Sequence, residues 1–222
     1  MSLIKRLFGG SKPSKEQSKT ENTPKSRSRE SKCPYCDALL EKKPARKTKC
    51  PHCGNHIFVR RGRLLTEDQK LVEEWLDRLG AFGITRQAFN QHREQLAEQF
   101  GFQPSVNDTV WRVLNLLVAS TADHSQAKIL YNEMVHLVRS EGKDPKPYLV
   151  EAAKHELLSL KESGVVSRVR VNTVNDGLVC SKCRALAEKT FTIEQALNDM
   201  PIPNACESED GCRCWYSPVV DF

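Results

Sequence analysis

Cys33-Pro34-Tyr35-Cys36 and Cys50-Pro51-His52-Cys53 stand 13 residues apart. Two C-x-x-C pairs at this spacing have the form of a four-thiolate metal site, in which each pair grips the ion from one tight turn. Backbone N–H groups in such a turn point at the first sulfur and offset the charge gathered around a divalent ion. Gly54 follows the last ligand, where a knuckle needs left-handed backbone. Four thiolates leave no coordination position for water or substrate, so Cys33, Cys36, Cys50 and Cys53 read as a structural zinc ribbon over 33–63. Zinc is expected rather than iron because it is redox-silent and suits a small ribbon. His52 and His56 read as solvated side chains, since the sulfurs already complete the shell.

Charge is concentrated around this stretch. Residues 1–63 hold 17 of the 34 Lys and Arg against five acids, a formal +12, while the rest of the chain is net acidic. Lys42, Lys43, Arg46, Lys47 and Lys49 fill the loop between the cysteine pairs, and Arg60, Arg61 and Arg63 follow the last expected strand. On so small a module they must cluster, which offers phosphate a binding face. With only Tyr35 and Phe58 as aromatic neighbours, contacts to nucleic acid would be nonspecific. Residues 11–32 are Ser, Lys, Arg and Glu with almost no apolar side chain, and read as a disordered basic linker. Residues 1–10 place Leu3, Ile4, Leu7 and Phe8 beside Lys5 and Arg6, a short amphipathic segment suited to weak contact with an anionic membrane surface. Neither a secretory signal nor a transmembrane run is visible. The nine cysteines are therefore expected to be reduced, in a cytoplasmic protein.

From Thr66 the apolar period becomes helical. Thr66 and Gln69 form a capping box before Leu71, Val72, Trp75, Leu76 and Leu79. Further helices are expected over 86–100 (Thr85 as cap; Phe89, Leu96 and Phe100 inward), 107–119 and 124–140. A fifth opens at Pro145 and Pro147 and ends near Gly164. These make a helical domain over 66–164. Residues 165–174 alternate, with Val169 and Val171 on one face, and predict a strand. A helix capped at Thr192 precedes Pro201. The fold class is thus mainly α with small β zinc modules, the last over 165–222.

That last module contains Cys180-Ser181-Lys182-Cys183, then Cys206 and Cys212-Arg213-Cys214. Five thiols exceed the four places around a zinc ion. Cys180, Cys183 and Cys206 take three of them, and Cys212 or Cys214 the fourth; Cys212 is favoured because it follows Gly211 in a turn. With the ribbon, two zinc ions are expected.

The run from Asp176 through Val179, Cys180 and Cys183 to Pro201 and Cys212-Arg213-Cys214 resembles the end of phage head-morphogenesis (minor head) proteins. Their pattern is D-x-x-V-C-x-x-C, then a proline, a histidine and C-R-C. The resemblance covers about 165–219 and implies a structural part of head assembly with protein partners at the portal and capsid. Cys206 stands roughly where that family has its histidine.

Nothing in the chain matches a P-loop, a nucleophile elbow or a metalloprotease helix. His92, His124, His136 and His155 are not spaced as metal pairs, and Glu73, Glu74, Glu94 and Glu98 read as helix-face acids. Trp75, Trp111 and Trp215 read as core residues. The expectation is a non-enzymatic assembly protein. The alternative is a nucleic-acid-binding zinc-ribbon protein working through its basic region.

Overall fold

The computed structural model describes residues 31–174, 176–208 and 211–219. The segment expected at 1–10 and the linker up to residue 30 lie outside them. The described residues are mainly helical with three small antiparallel sheets. Among the described residues no helix is long and apolar enough to cross a membrane.

The ribbon begins two residues before Cys33. Strand β1 (Ser31–Lys32) pairs with β2 (Leu39–Leu40), and β3 (Thr48–Lys49) pairs with β4 (His56–Arg60). Strand β5 (Arg63–Leu65) returns along β4 through Arg61 and Gly62, both at positive φ as a two-residue hairpin turn requires. Cys33, Cys50 and Ile57 form a core of their own, closed by Leu40 and Leu64.

Helix α1 (Glu67–Leu79) starts immediately after β5 with the expected capping box. Its first turn is tied to the ribbon, for the Glu67 N–H donates to the Tyr35 hydroxyl at 2.7 Å. Its acids face the arginines of the β4–β5 hairpin. Arg63 meets Glu73 at 2.7 Å, Arg61 meets Asp77 at 3.0 Å, and Arg60 bonds both Glu74 and Asp77. Hydrogen bonding from Arg60, helped by the charge of Arg61, holds the Asp77 carboxyl below its ordinary range. These charges are partly solvated, so they orient the ribbon more than they stabilise it.

Helices α2 (Arg86–Phe100), α3 (Val106–Ser120) and α4 (His124–Ser140) follow, capped by Thr85, Ser105 and Asp123. With α1 they enclose Val72, Trp75, Leu79, Phe89, Val110, Leu114, Leu130 and Met134. Phe100, expected to face inward, is 57% exposed, because the chain leaves the helix there at Gly101 and turns it outward beside Phe102.

Helix α5 (Lys146–Glu162) packs along α4 and also supplies Leu149, Val150, Ala153, Leu157 and Leu160 to a second core. That core lies against the sheet β7–β6–β8, formed by β6 (Arg168–Asn172), β7 (Thr190–Thr192) and β8 (Trp215–Val219). Val169 and Val171 point into it and are fully buried, while Arg170 between them is exposed. Helix α6 (Ser181–Leu186) and helix α7 (Ile193–Asp199) fill the crossing, with the Thr192–Gln195 capping box in place. Glu156 of α5 accepts the Tyr216 N–H at 3.1 Å and pairs with Lys128 of α4, so β8 is fastened to both helices. Trp215, read as core, is 41% exposed: at the strand's start its face points away from Tyr216, which is buried.

Candidate metal centres

The ribbon turns repeat each other bond for bond. Cys33 N–H donates to Ala38 O at 2.9 Å and Asp37 N–H to Cys33 O at 3.0 Å; Cys50 N–H donates to Asn55 O at 2.8 Å and Gly54 N–H to Cys50 O at 2.9 Å. Asp37 and Gly54 occupy the same left-handed position, φ 56° and 73°. Tyr35 N–H and His52 N–H each lie 3.4 Å from the sulfur two residues back. The four sulfurs lie within 4.8 Å of one another, with Cys33–Cys53 and Cys36–Cys50 both at 3.9 Å. Four sulfurs at the corners of a tetrahedron around zinc would stand about 3.8 Å apart, given bonds of about 2.3 Å. The group is therefore the right size to hold a metal ion. Cys33 and Cys50, whose sulfurs receive the knuckle bonds, are buried, whereas Cys36 and Cys53 are exposed.

Those backbone donors also prepare two of the ligands, while burial pushes the Cys183, Cys206 and Cys214 thiols up. The N–H groups of Cys53 and His52 hold the Cys50 thiol down to about 6, from an ordinary 9.0. At Cys180 burial opposes ionisation, but the N–H groups of Glu207 and Cys183 outweigh it and lower that thiol to about 7. A thiol depressed on folding stabilises the fold increasingly as pH rises from its folded value towards 9, and that gain is lost as pH falls through the folded value. Metal uptake needs the same thiolates, so it should weaken in the same direction. Acidifying the metal-loaded protein from pH 8 to pH 5 is expected to release metal from both modules, followed with a chromogenic chelator; retention at pH 5 would contradict this assignment of ligands.

The second centre is assembled from three elements. Cys180 caps α6 and accepts the Cys183 N–H at 3.4 Å, the loop after Pro203 brings Cys206, and the approach to β8 brings Cys212 and Cys214. Cys180 and Cys206 sulfurs approach to 3.9 Å, Cys183 and Cys212 to 3.8 Å. Three sulfurs at a time lie within 4.8 Å: Cys180, Cys183 and Cys206, and again Cys183, Cys212 and Cys214. This region too could hold metal. Gly211 is needed where it stands. Its φ is 81°, and a Cβ there would meet Arg139 Nη2 at 2.7 Å and Leu149 Cδ1 at 3.0 Å.

Arg213, between the last two cysteines, clamps Asp176 with two bonds, Nη1–Oδ2 at 2.8 Å and Nη2–Oδ1 at 2.7 Å. Asp176 also accepts the Leu178 N–H at 3.0 Å. The Arg213 bonds, with that N–H, hold its carboxyl below the ordinary range. The acid that opens the D-x-x-V-C run and the arginine of C-R-C thus bind each other, joining the two halves of the centre from outside.

The remaining candidates separate into two groups. Arg60, Arg61 and Arg63 are paired with α1. Lys42, Lys43, Arg46, Lys47 and Lys49 line a cleft of about 790 Å³ and carry no ion pair among the described residues; Lys47 rests over the Phe58 ring at 4.9 Å. One pairing is invisible in the sequence. His124 and His155 meet Nδ1 to Nδ1 at 2.8 Å across α4 and α5, 31 residues apart. Burial, then the neighbouring imidazole, lowers the pKa of His155. Among the described residues the groups that could hold a metal contain cysteines alone, so this pair reads as a helix-to-helix hydrogen bond. Compared with family models, with curated proteins and with solved structures, the chain matches none.

Proposed function

We propose that this is a non-enzymatic assembly protein, held in shape by zinc in both cysteine modules and akin to phage head-morphogenesis proteins. The observation that carries the reading is the Asp176–Arg213 clamp across the second thiol cluster. It gives a physical reason for an acid before the first cysteine pair of the module and an arginine inside C-R-C, two of the features that carry that resemblance. The donor set supports zinc: soft thiolates suit it better than the harder divalent ions, and the ribbon sulfurs stand at tetrahedral spacing. A rigid module fastened to a helical body suits a part that presents surfaces to protein partners. The test is sedimentation of the zinc-loaded chain with purified portal and capsid protein. Cosedimentation that is lost in Asp176→Ala and Arg213→Ala supports the reading, and no association with either protein opposes it.

A second reading is favoured by the loop between the ribbon cysteines. Five cations that carry no ion pair among the described residues surround one cleft and form a surface suited to phosphate. If all five neutralise phosphates on duplex DNA, the slope of log affinity against log salt should be about −4.5. Each Lys→Gln change at 42, 43, 47 or 49 should make that slope shallower by about 1. Fluorescence anisotropy at several salt concentrations checks this, and binding unchanged in a variant lacking all four lysines would remove it.

A further inference from the structure

Sulfurs that share an ion must lie close together, about 3.8 Å apart around a tetrahedral zinc. In the ribbon all four sulfurs lie together within 4.8 Å. In the C-terminal module the described sulfurs do so only in threes, and Cys183 belongs to both sets. Its sulfur is 3.8 Å from that of Cys212, while Cys180 and Cys206 approach each other to 3.9 Å within the other set. Cys183 is also the most deeply buried of the five, at 1% exposure.

We propose that the C-terminal module takes up a pair of zinc ions, one in each set of three sulfurs, with the Cys183 sulfur bridging them. This rests on the zinc reading above and adds a second ion to that module. A thiolate sulfur has lone pairs enough for two cations, and the bridging position falls to the sulfur common to both sets. No thiol is then left over. Five thiols give up five protons to two Zn²⁺ ions, leaving one net negative charge. A single ion with four thiolates would carry two, at greater cost in a core built from Val169, Val171, Ile193 and Ile202.

Each ion has three sulfurs and takes a water as its fourth ligand. Cys212 and Cys214 line a cavity of about 110 Å³ with Ile202, Pro203 and Trp215, which is room enough for one. Cys180 and Cys206 are half-buried, so the other ion lies nearer bulk solvent.

Native mass spectrometry of the whole chain loaded with zinc tests this. Three zinc ions are expected, one in the ribbon and two in the C-terminal module. Cys36→Ser should lower the count to two by emptying the ribbon, and Cys214→Ser should also lower it to two by emptying the second set. Cys183→Ser should leave one. Cys214 is at the margin of the core, so its variant keeps the test valid even where Cys183→Ser unfolds. A chain that carries two ions and still carries two as Cys214→Ser overturns the bridged pair while sparing the zinc reading, since one ion would then have drawn four sulfurs to itself. A chain carrying one ion or none overturns both.

Discussion

Replacing Cys183 with serine is expected to unfold the C-terminal module and to leave the first four helices folded. Cys183 packs with Val169, Val171, Ile193, Ala196, Met200, Ile202 and Tyr216, so its removal affects ligand and core together. Metal binding to structural thiolate sites is worth about 10–16 kcal/mol, and where no site survives in the unfolded chain that energy is folding energy. Loss of one thiolate should forfeit a large part of it, and the serine hydroxyl is left in an apolar setting. We expect a destabilisation of the module on the order of 5 kcal/mol or more. The amide spectrum should show collapse of the β6 and β8 signals, with those of Val72, Phe89 and Leu114 retained. Unchanged dispersion in the sheet would mean that sulfur chemistry is not what holds this module.

Leu157→Ala is the second large effect. Leu157 is fully buried in the C-terminal core, yet it sits on α5, whose other side packs along α4. Removing it leaves a cavity where helix meets sheet and should cost about 2–5 kcal/mol. Leu157 faces the C-terminal core, so the loss should fall on that core. In urea, an NMR probe in β6 should move to a lower midpoint while one at Val110 in the helical core moves less. A β6 midpoint equal to that of the unaltered chain would show that Leu157 does not hold helix to sheet.

Much of this arrangement was legible in local chemistry. Thr66 with Gln69, Thr85, and Thr192 with Gln195 mark helix starts because a side-chain oxygen there satisfies an otherwise unpaired backbone N–H, and all three act so. The alternation of Val169 and Val171 with Arg168 and Arg170 shows a strand with one buried face. The C-x-x-C turns are equally local, which is why the ribbon cysteines could be grouped from spacing alone.

What escaped the sequence depends on where distant elements meet. Phe100 lies in register with Phe89 and Leu96, but the helix ends under it and the packing stops there. Arg60, Arg61 and Arg63 look like free cations until α1 brings Glu73, Glu74 and Asp77 opposite them. His124 and His155 become neighbours only through the packing of α4 on α5. The sharing of Cys183 between two sets of sulfurs is of the same kind, since spacing along the chain counts thiols but does not say which of them meet.

The central claim is that sulfur-bound zinc holds both cysteine modules in shape. X-ray absorption at the zinc edge of the purified chain tests it most directly. Sulfur should dominate the first shell, at about 2.3 Å from the metal. A shell made chiefly of nitrogen and oxygen, iron in place of zinc, or protein that keeps both modules folded without metal would contradict it.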